Sequence, residues 1–362
     1  MVCLLLLASC GSTSSSAPDS GTDADSPTST TSVADRVATT SSTLAALAPG
    51  AFDATDAALR SRVAAAGLRG ATVVVVRAGV LVHEYSVGGV DRSTPMSVAS
   101  STKWLTAAAL LTFVDTGAID LDEPIGRWLP EFAPDRVSIT ARQLLIHTSG
   151  VRDQPCLWDG TALADCVRRV AASPREFAAG SAYSYGNADF HVLGRLIEEL
   201  GGTDFAEVVR DRVTGPLGMN ATTWPGAPGS PGPAAGVRTT VADYLQFLAM
   251  ILGRGEVDGA RILSERSVDE LVENQLGGYD TSRDFAVGIT RIPRYGLGCW
   301  PDEVDMTGRT VVVSGNGGKG FYPWVDVSTA SYGVIGLQDD RGAQVAVPAS
   351  QVVAVAARQA LR

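Results

Sequence analysis

The sequence predicts an α+β fold: one antiparallel sheet assembled from both ends of the chain, flanked by helices and set beside a mainly helical subdomain. Three observations lead there. β-Branched runs cluster early, over 72–87, and again late, between 285 and 337. Between them, from about 100 to 273, apolar residues recur mainly at helical spacing. After the last strand an amphipathic segment, Val347–Leu361, returns to helical periodicity. The 362 residues are 45% hydrophobic and 19% charged, which suffices for a sizeable core. The formal charge is −10, with 39 acidic against 29 basic residues and no basic cluster, so a nucleic-acid partner is excluded. His83, His147 and His191 are far apart and lack ligand spacing, so no metal site is expected.

At the N-terminus, residues 1–9 read as an export signal, because the apolar run Val2–Ser9 turns abruptly polar at Cys10-Gly11-Ser12. Such a run is too short for a bilayer, which needs roughly 20 residues; the alternative is a buried N-terminal strand. Leu7-Ala8-Ser9-Cys10 resembles a bacterial lipobox, whose cysteine is lipidated and becomes the mature N-terminus. No Lys or Arg precedes the run, as a complete signal would have. Residues 10–50 are nearly all Ser, Thr, Ala, Asp, Gly and Pro, which cannot bury enough apolar surface to offset their ordering entropy. As a tether they reach about 30–40 Å. The expectation is an exported lipoprotein on the outer side of a bacterial cytoplasmic membrane. It touches the membrane by its lipid alone and carries a globular domain over 51–362.

Within that domain, Phe52–Leu68 has helical spacing and a stop signal at Gly70. Thr72–Arg77 and Val80–Val87, separated by Ala78-Gly79, read as a hairpin. Helices are expected over Lys103–Phe113, Ala141–Ile146, Leu163–Ala172, Phe190–Leu200, Phe205–Val213 and Val241–Leu252. Strands are expected over Phe285–Ile292, Arg309–Val313, Phe321–Val327 and Ser331–Leu337. Cys156 and Cys166 close a short loop and form a disulfide if the chain leaves the cytoplasm; Cys299 is left as a buried thiol.

The chemistry centres on Ser100-Ser101-Thr102-Lys103 at the head of a helix. Residues three apart share a helix face, so Ser100 pairs with Lys103 while Ser101 points away. A hydroxyl becomes a useful nucleophile when a base takes its proton, and a neutral lysine can do so. The residue choice is informative: the chain has only Lys103 and Lys319 as lysines and otherwise uses Arg, which cannot be deprotonated in a protein. The spacing alone is a weak signal.

The segment Val98-Ala99-Ser100-Ser101-Thr102-Lys103-Trp104-Leu105-Thr106-Ala107 resembles the nucleophile helix of the serine β-lactamase and penicillin-binding protein family. The branch it resembles holds class C β-lactamases, D-alanyl-D-alanine carboxypeptidases, family VIII esterases and 6-aminohexanoate-dimer hydrolases. Further blocks follow in the family's order: Leu121-Asp122-Glu123-Pro124 with Leu129-Pro130-Glu131-Phe132, Ile139–Leu145 with His147-Thr148-Ser149-Gly150, Tyr185-Gly186-Asn187, and Gly215-Pro216-Leu217-Gly218-Met219. The resemblance implies a β-lactamase/transpeptidase-like fold and a catalytic set of Ser100, Lys103 and Tyr185. Tyr185 would share proton transfer with Lys103, and Asn187 would hold Lys103 and the acyl side of the substrate. A helix N-cap is the plainer role for Asn187. His147 closes a helix at Thr148-Ser149-Gly150, where an imidazole can satisfy terminal carbonyls, and no Gly-x-Ser-x-Gly elbow supports a triad.

The family's third motif, Lys-Thr-Gly or His-x-Gly, is replaced here by Ser314-Gly315-Asn316, with no cation at its start. These three are the remaining substrate-side residues, their backbone N–H groups completing an oxyanion hole. The lost cation points away from carboxylate-bearing substrates, unless Lys319 or Arg309 replaces it. The expected function is therefore a serine hydrolase forming an acyl-enzyme at Ser100 on a small-molecule or peptide-like ester or amide. A β-lactamase or D-alanyl-D-alanine carboxypeptidase is the alternative within the class, and a non-catalytic cell-wall peptide-binding lipoprotein the alternative outside it. No metal or organic cofactor is implied.

Overall fold

The early β-branched runs form a hairpin of β1 (Ala71–Arg77) and β2 (Val80–Val87). Its two-residue turn puts Ala78 at φ 48° and Gly79 at φ 77°, the left-handed pair that matches the twist of the flanking strands. These coordinates are a computed structural model that describes residues 47–133, 139–226, 229–282, 294–339, 341 and 343–362. The signal, Cys10, the tether as far as residue 46 and the strand expected over Phe285–Ile292 lie outside the described residues. Two small antiparallel pairs follow the hairpin: β3 (Met96–Ser97) with β4 (Arg238–Thr239), and β5 (Glu256–Val257) with β6 (Ala260–Arg261). The late strands are β7 (Trp300–Val304), β8 (Thr310–Ser314), β9 (Tyr322–Asp326) and β10 (Ser331–Leu337).

The main sheet is antiparallel throughout, in the order β2-β1-β10-β9-β8-β7. The two ends of the chain meet where β1 pairs with β10, from Ala71↔Leu337 to Arg77↔Ser331. Side chains alternate between faces, and both faces are covered, which is why β1 reads as an unbroken apolar run. Val73, Val75, Trp324 and Ile335 pack under the terminal helices Asp53–Ala66 and Ala343–Gln359. Val74, Val76, Val313, Val325 and Val334 face the helical subdomain, with Trp104 and Leu105 among the residues they meet. Among the described residues no helix is long and apolar enough to cross a membrane.

Several expected elements shift. The first helix stops at Gly67 (φ 60°), whose N–H caps Ala64 O, rather than at Gly70. Gly70 instead passes so close to β2 that an added Cβ would collide with the Val87 carbonyl. The helix expected over Phe205–Val213 keeps α geometry only over Phe205–Val209 and then widens into a π turn, Arg210–Thr214. Pro301 hides β7 in the sequence, and it is tolerated because β7 is an edge strand among the described residues.

Candidate active site

A 3₁₀ turn, Ala99–Ser101, leads into the helix Thr102–Asp115, which is buried on every side as far as Phe113. Ala99 enters it at φ 45°, an unusual value for a side chain with a Cβ, and sets the direction of the turn. Lys103 Nζ comes to 3.4 Å from Ser100 Oγ. Ser101 points the other way: its hydroxyl donates to Gly315 O and lies 3.3 Å from Phe321 O, fastening the turn to the sheet. The three-residue spacing thus selects Ser100 by geometry.

Lys103 is completely buried. Besides Ser100, its Nζ donates to Asn187 Oδ1 at 3.0 Å and to Ala234 O at 3.3 Å. Among the described residues no carboxylate lies within ion-pair distance of it. The Tyr185 ring centroid is 4.8 Å from Nζ, so the three residues of the expected catalytic set and Asn187 converge.

Asn187 occupies the position before the helix Ala188–Gly201, yet its side chain makes no capping hydrogen bond, so the plainer role does not hold. Asp153 does the capping. Its Oδ1 accepts the N–H groups of Asn187 (2.8 Å) and Ala188 (2.7 Å), and its Oδ2 accepts Asn187 Nδ2 at 3.0 Å. Sequence reasoning missed Asp153 because a capping carboxylate is sought immediately before its helix, not across a fold.

Tyr185 is walled by aromatic rings: His147 at 4.6 Å, Trp300 at 5.6 Å and Tyr295 at 6.0 Å between centroids. His147 does not cap helix carbonyls with its imidazole. It stands at φ 58°, with Nδ1 2.9 Å from Asp189 Oδ2 and Nε2 3.3 Å from Tyr295 Oη. The Ser149 hydroxyl donates to the other Asp189 oxygen. Ser149, Asp189 and His147 are thus in contact with the carboxylate in the middle, an order in which the imidazole does not face the serine. Burial holds His147 below the ordinary imidazole range and raises the Asp189 carboxyl. His191, with Nδ1 3.0 Å from Asn187 O, is likewise pushed down by burial.

The third motif requires a correction. Ser314 is completely buried and pairs across the ladder with Trp324, so its side chain shares the sheet face covered by the terminal helices. It is not presented to a substrate. The next residues approach the nucleophile turn closely: a Cβ on Gly315 would lie 2.8 Å from the Trp104 ring, and one on Gly317 would strike Val98 O. The two glycines let the strand lie against that turn. The N–H groups of Gly315 and Gly317 bond Pro323 O on β9 and Phe321 O just before it, at 3.0 and 2.9 Å. That of Asn316 between them is directed to the opposite edge, where β7 reaches only the Trp300↔Ser314 pair. The Lys319 carbonyl accepts the Asp339 N–H at 2.9 Å. Arg309 is exposed at the far end of β8.

Cys156 and Cys166 are joined by a disulfide, with Cα atoms 5.4 Å apart. Cys299 is a buried free thiol donating to Leu271 O at 3.2 Å, and burial pushes its acidity well down.

An antiparallel sheet built from both chain ends, a helical subdomain, and a serine three residues before a buried lysine at their junction are the features of the β-lactamase and penicillin-binding protein class. The chain belongs to the beta-lactamase family, whose pattern matches residues 55–358. It is similar to esterase EstB of Burkholderia gladioli, 35% identical over 214 residues that cover 49% of this chain and 54% of that protein. The chain thus spans about half the length of that esterase. Penicillin-binding protein 4 of Amycolatopsis lactamdurans is 28% identical over 264 residues, 60% of this chain and 69% of that one. The crystal structure of a putative beta-lactamase from Bacteroides dorei superposes with a TM-score of 0.76 at 27% identity, covering 84% of this chain and 98% of that one.

Proposed function

We propose that this chain is an extracytoplasmic hydrolase that cleaves esters or amides through an acyl-enzyme on Ser100. The observation that carries the reading is Lys103: a buried amine between Ser100 Oγ and Asn187 Oδ1, with no carboxylate partner among the described residues. A lysine so placed is arranged to exchange a proton rather than to sit in an ion pair. Lys103, with Tyr185 beside it, takes the Ser100 proton as Oγ attacks the acyl carbon. The oxyanion is met by backbone N–H groups, that of Ser100 and that of the strand at Asn316. The proton passes to the leaving oxygen or nitrogen as its bond to the acyl carbon breaks. Water then repeats the sequence on the acyl-enzyme with the same base. The Asn187 amide lies on the acyl side of the substrate.

The substrate preference follows from charge. A cation reading a terminal carboxylate supplies a charge-assisted hydrogen bond of roughly 1.5–3 kcal/mol, against about 0.5–1.5 kcal/mol for a neutral one. Ser314, Gly315 and Asn316 carry no charge, and with Ser314 buried only Asn316 offers a polar side chain. Esters and amides without a carboxylate are therefore preferred over β-lactams and D-alanyl-D-alanine peptides, a preference supported by the likeness to a protein named as an esterase. The anchor and location rest on Cys10 and the apolar run before it, with the disulfide as support.

The test is intact-mass analysis after exposure to a p-nitrophenyl ester, a fluorophosphonate and a β-lactam, with kcat/KM for p-nitrophenyl butyrate and a chromogenic cephalosporin. Adducts on Ser100, absent in Ser100→Ala, and faster ester turnover are expected. No adduct from any compound would leave the binding-protein alternative, and faster cephalosporin turnover would leave the β-lactamase one. Fractionation of the native host decides location: cytoplasmic protein with an unmodified Cys10 removes that part.

A further inference from the structure

We infer that Asp153 is a positioning residue for Lys103, acting through the side chain of Asn187; the inference rests on Lys103 being the base of an acyl-enzyme hydrolase. An asparagine amide has a donor end and an acceptor end of nearly equal shape, so its partners decide which way it faces. Here the two ends face partners of opposite kind, a donor at one and an acceptor at the other. A lysine ammonium offers donors only, and Lys103 Nζ sits 3.0 Å from Asn187 Oδ1. A carboxylate offers acceptors only, and Asp153 Oδ2 sits 3.0 Å from Asn187 Nδ2. Each partner fixes the same orientation, and the turned-over amide would set donor against donor at one end.

The same carboxylate also fixes the backbone that carries the amide, through Oδ1 and the N–H groups of Asn187 and Ala188 at the positive end of a helix of 14 residues. Asp153 lies three residues before Cys156, and the Cys156–Cys166 disulfide ties its loop to the helix Leu163–Ala172. The result is a rigid line from loop to amide to base. The other titratable groups around Lys103 are Tyr185, His191 on the Ala188–Gly201 helix, and His147 with Asp189 behind Tyr185. Burial holds both histidines below the ordinary imidazole range.

Asp153→Asn separates positioning from capping. Its remaining oxygen still accepts both backbone N–H groups, while its new NH2 faces Asn187 Nδ2. Asn187 escapes that clash by turning over, which sets its own NH2 against Lys103 Nζ, where only a neutral amine can pair with it. The substitution also removes a negative charge from the site. Both effects move the acid limb of the pH–kcat/KM profile to lower pH, while the displaced amine lowers kcat.

The experiment compares wild type, Asp153→Asn, Asn187→Ala and the double variant, following p-nitrophenyl butyrate hydrolysis across pH, the rate of fluorophosphonate labelling, and thermal unfolding. Asp153→Asn should still fold, unfolding a few degrees below wild type because about 0.3–1 kcal/mol of charge–helix attraction is lost. Its kcat should fall on the order of 10- to 100-fold, the scale of a misplacement of up to 1 Å, with the acid limb moved as stated. In the Asn187→Ala background the same exchange should lower the pH-independent labelling rate little further, because positioning passes through the missing amide, and only the charge-driven part of the pH shift should remain. Asp153→Ser, which keeps one capping oxygen and offers nothing to Nδ2, should show a smaller loss of the same kind and carries the test if Asp153→Asn does not fold. Wild-type kcat in Asp153→Asn, or an undiminished loss in the Asn187→Ala background, overturns the inference. Failure of the underlying reading is distinct: wild-type protein then takes no fluorophosphonate adduct at Ser100, whatever residue stands at 153.

Discussion

Replacing Gly315 by alanine tests how closely the third-motif strand must lie against the nucleophile helix. The new Cβ would lie 2.8 Å from Trp104 Cε3 and 3.3 Å from Pro323 Cγ. Carbon atoms pack comfortably at about 3.5–4.0 Å, so the strand or the indole must withdraw by roughly 1 Å. The indole has no room, since Trp104 is completely buried and meets the Phe247 ring edge-on at 5.5 Å between centroids. The strand therefore moves, taking with it the Gly315 carbonyl that holds Ser101 and the N–H of Asn316 beside it. Overpacking of this kind costs about 1–3 kcal/mol in stability. A displacement near 1 Å at a reacting centre costs on the order of 100-fold in rate. Gly318→Ala is the control: no heavy atom lies within 4 Å of its Cβ, so activity should stay within about twofold. The assay is kcat and KM on p-nitrophenyl butyrate together with a thermal melt. If Gly315→Ala and Gly318→Ala behave alike, close strand approach is not what the glycine provides.

Lys103→Arg should be as inactive in ester hydrolysis as Lys103→Ala, since arginine keeps the charge but cannot accept the proton; an active Arg variant would remove the general-base role. Ser101→Ala should keep fluorophosphonate labelling at Ser100 yet unfold at lower temperature, by about 1–3 kcal/mol, because a buried carbonyl loses its donor. His191 is held below its unfolded value near 6.5, so its contribution to stability is complete above that pH and is lost as pH falls toward the folded value. The melting temperature should thus decline from pH 7 to pH 5, and an unchanged slope in His191→Gln would contradict this. Replacing both Cys156 and Cys166 by serine should lower stability by roughly 3 kcal/mol, read in a denaturant melt, as expected for a disulfide spanning 10 residues.

What could be read from the sequence was what is local. Ser100 and Lys103 are three apart on one turn, so their pairing needs no knowledge of the fold. The helices Leu163–Ala172 and Val241–Leu252 follow their own periodicity and lie where it places them. The misses are contacts made at a distance. Asp153 caps a helix that starts at Ala188, beyond the reach of a capping rule written for neighbours. Ser314 was chosen by its place in a motif, whereas its direction is decided by the Trp324 opposite it on β9. His147 was read as a helix terminator because Thr148-Ser149-Gly150 follows it, while Asp189 and Tyr295, which hold its ring, come from remote segments.

The sheet that joins early and late strands at β1 and β10 also sets a timetable. In a chain made from its N-terminus the β1–β2 hairpin and the Thr102–Asp115 helix come early, but β1 gains its second partner only when Ser331–Leu337 appears. Until then the Gly315–Gly317 stretch has no finished sheet to hold it against Val98 and Trp104. The slow, long-range step is thereby placed last, where closure of distant segments limits folding. Ser100 thus belongs to the first elements made, while the strand that lies against its turn belongs to the last.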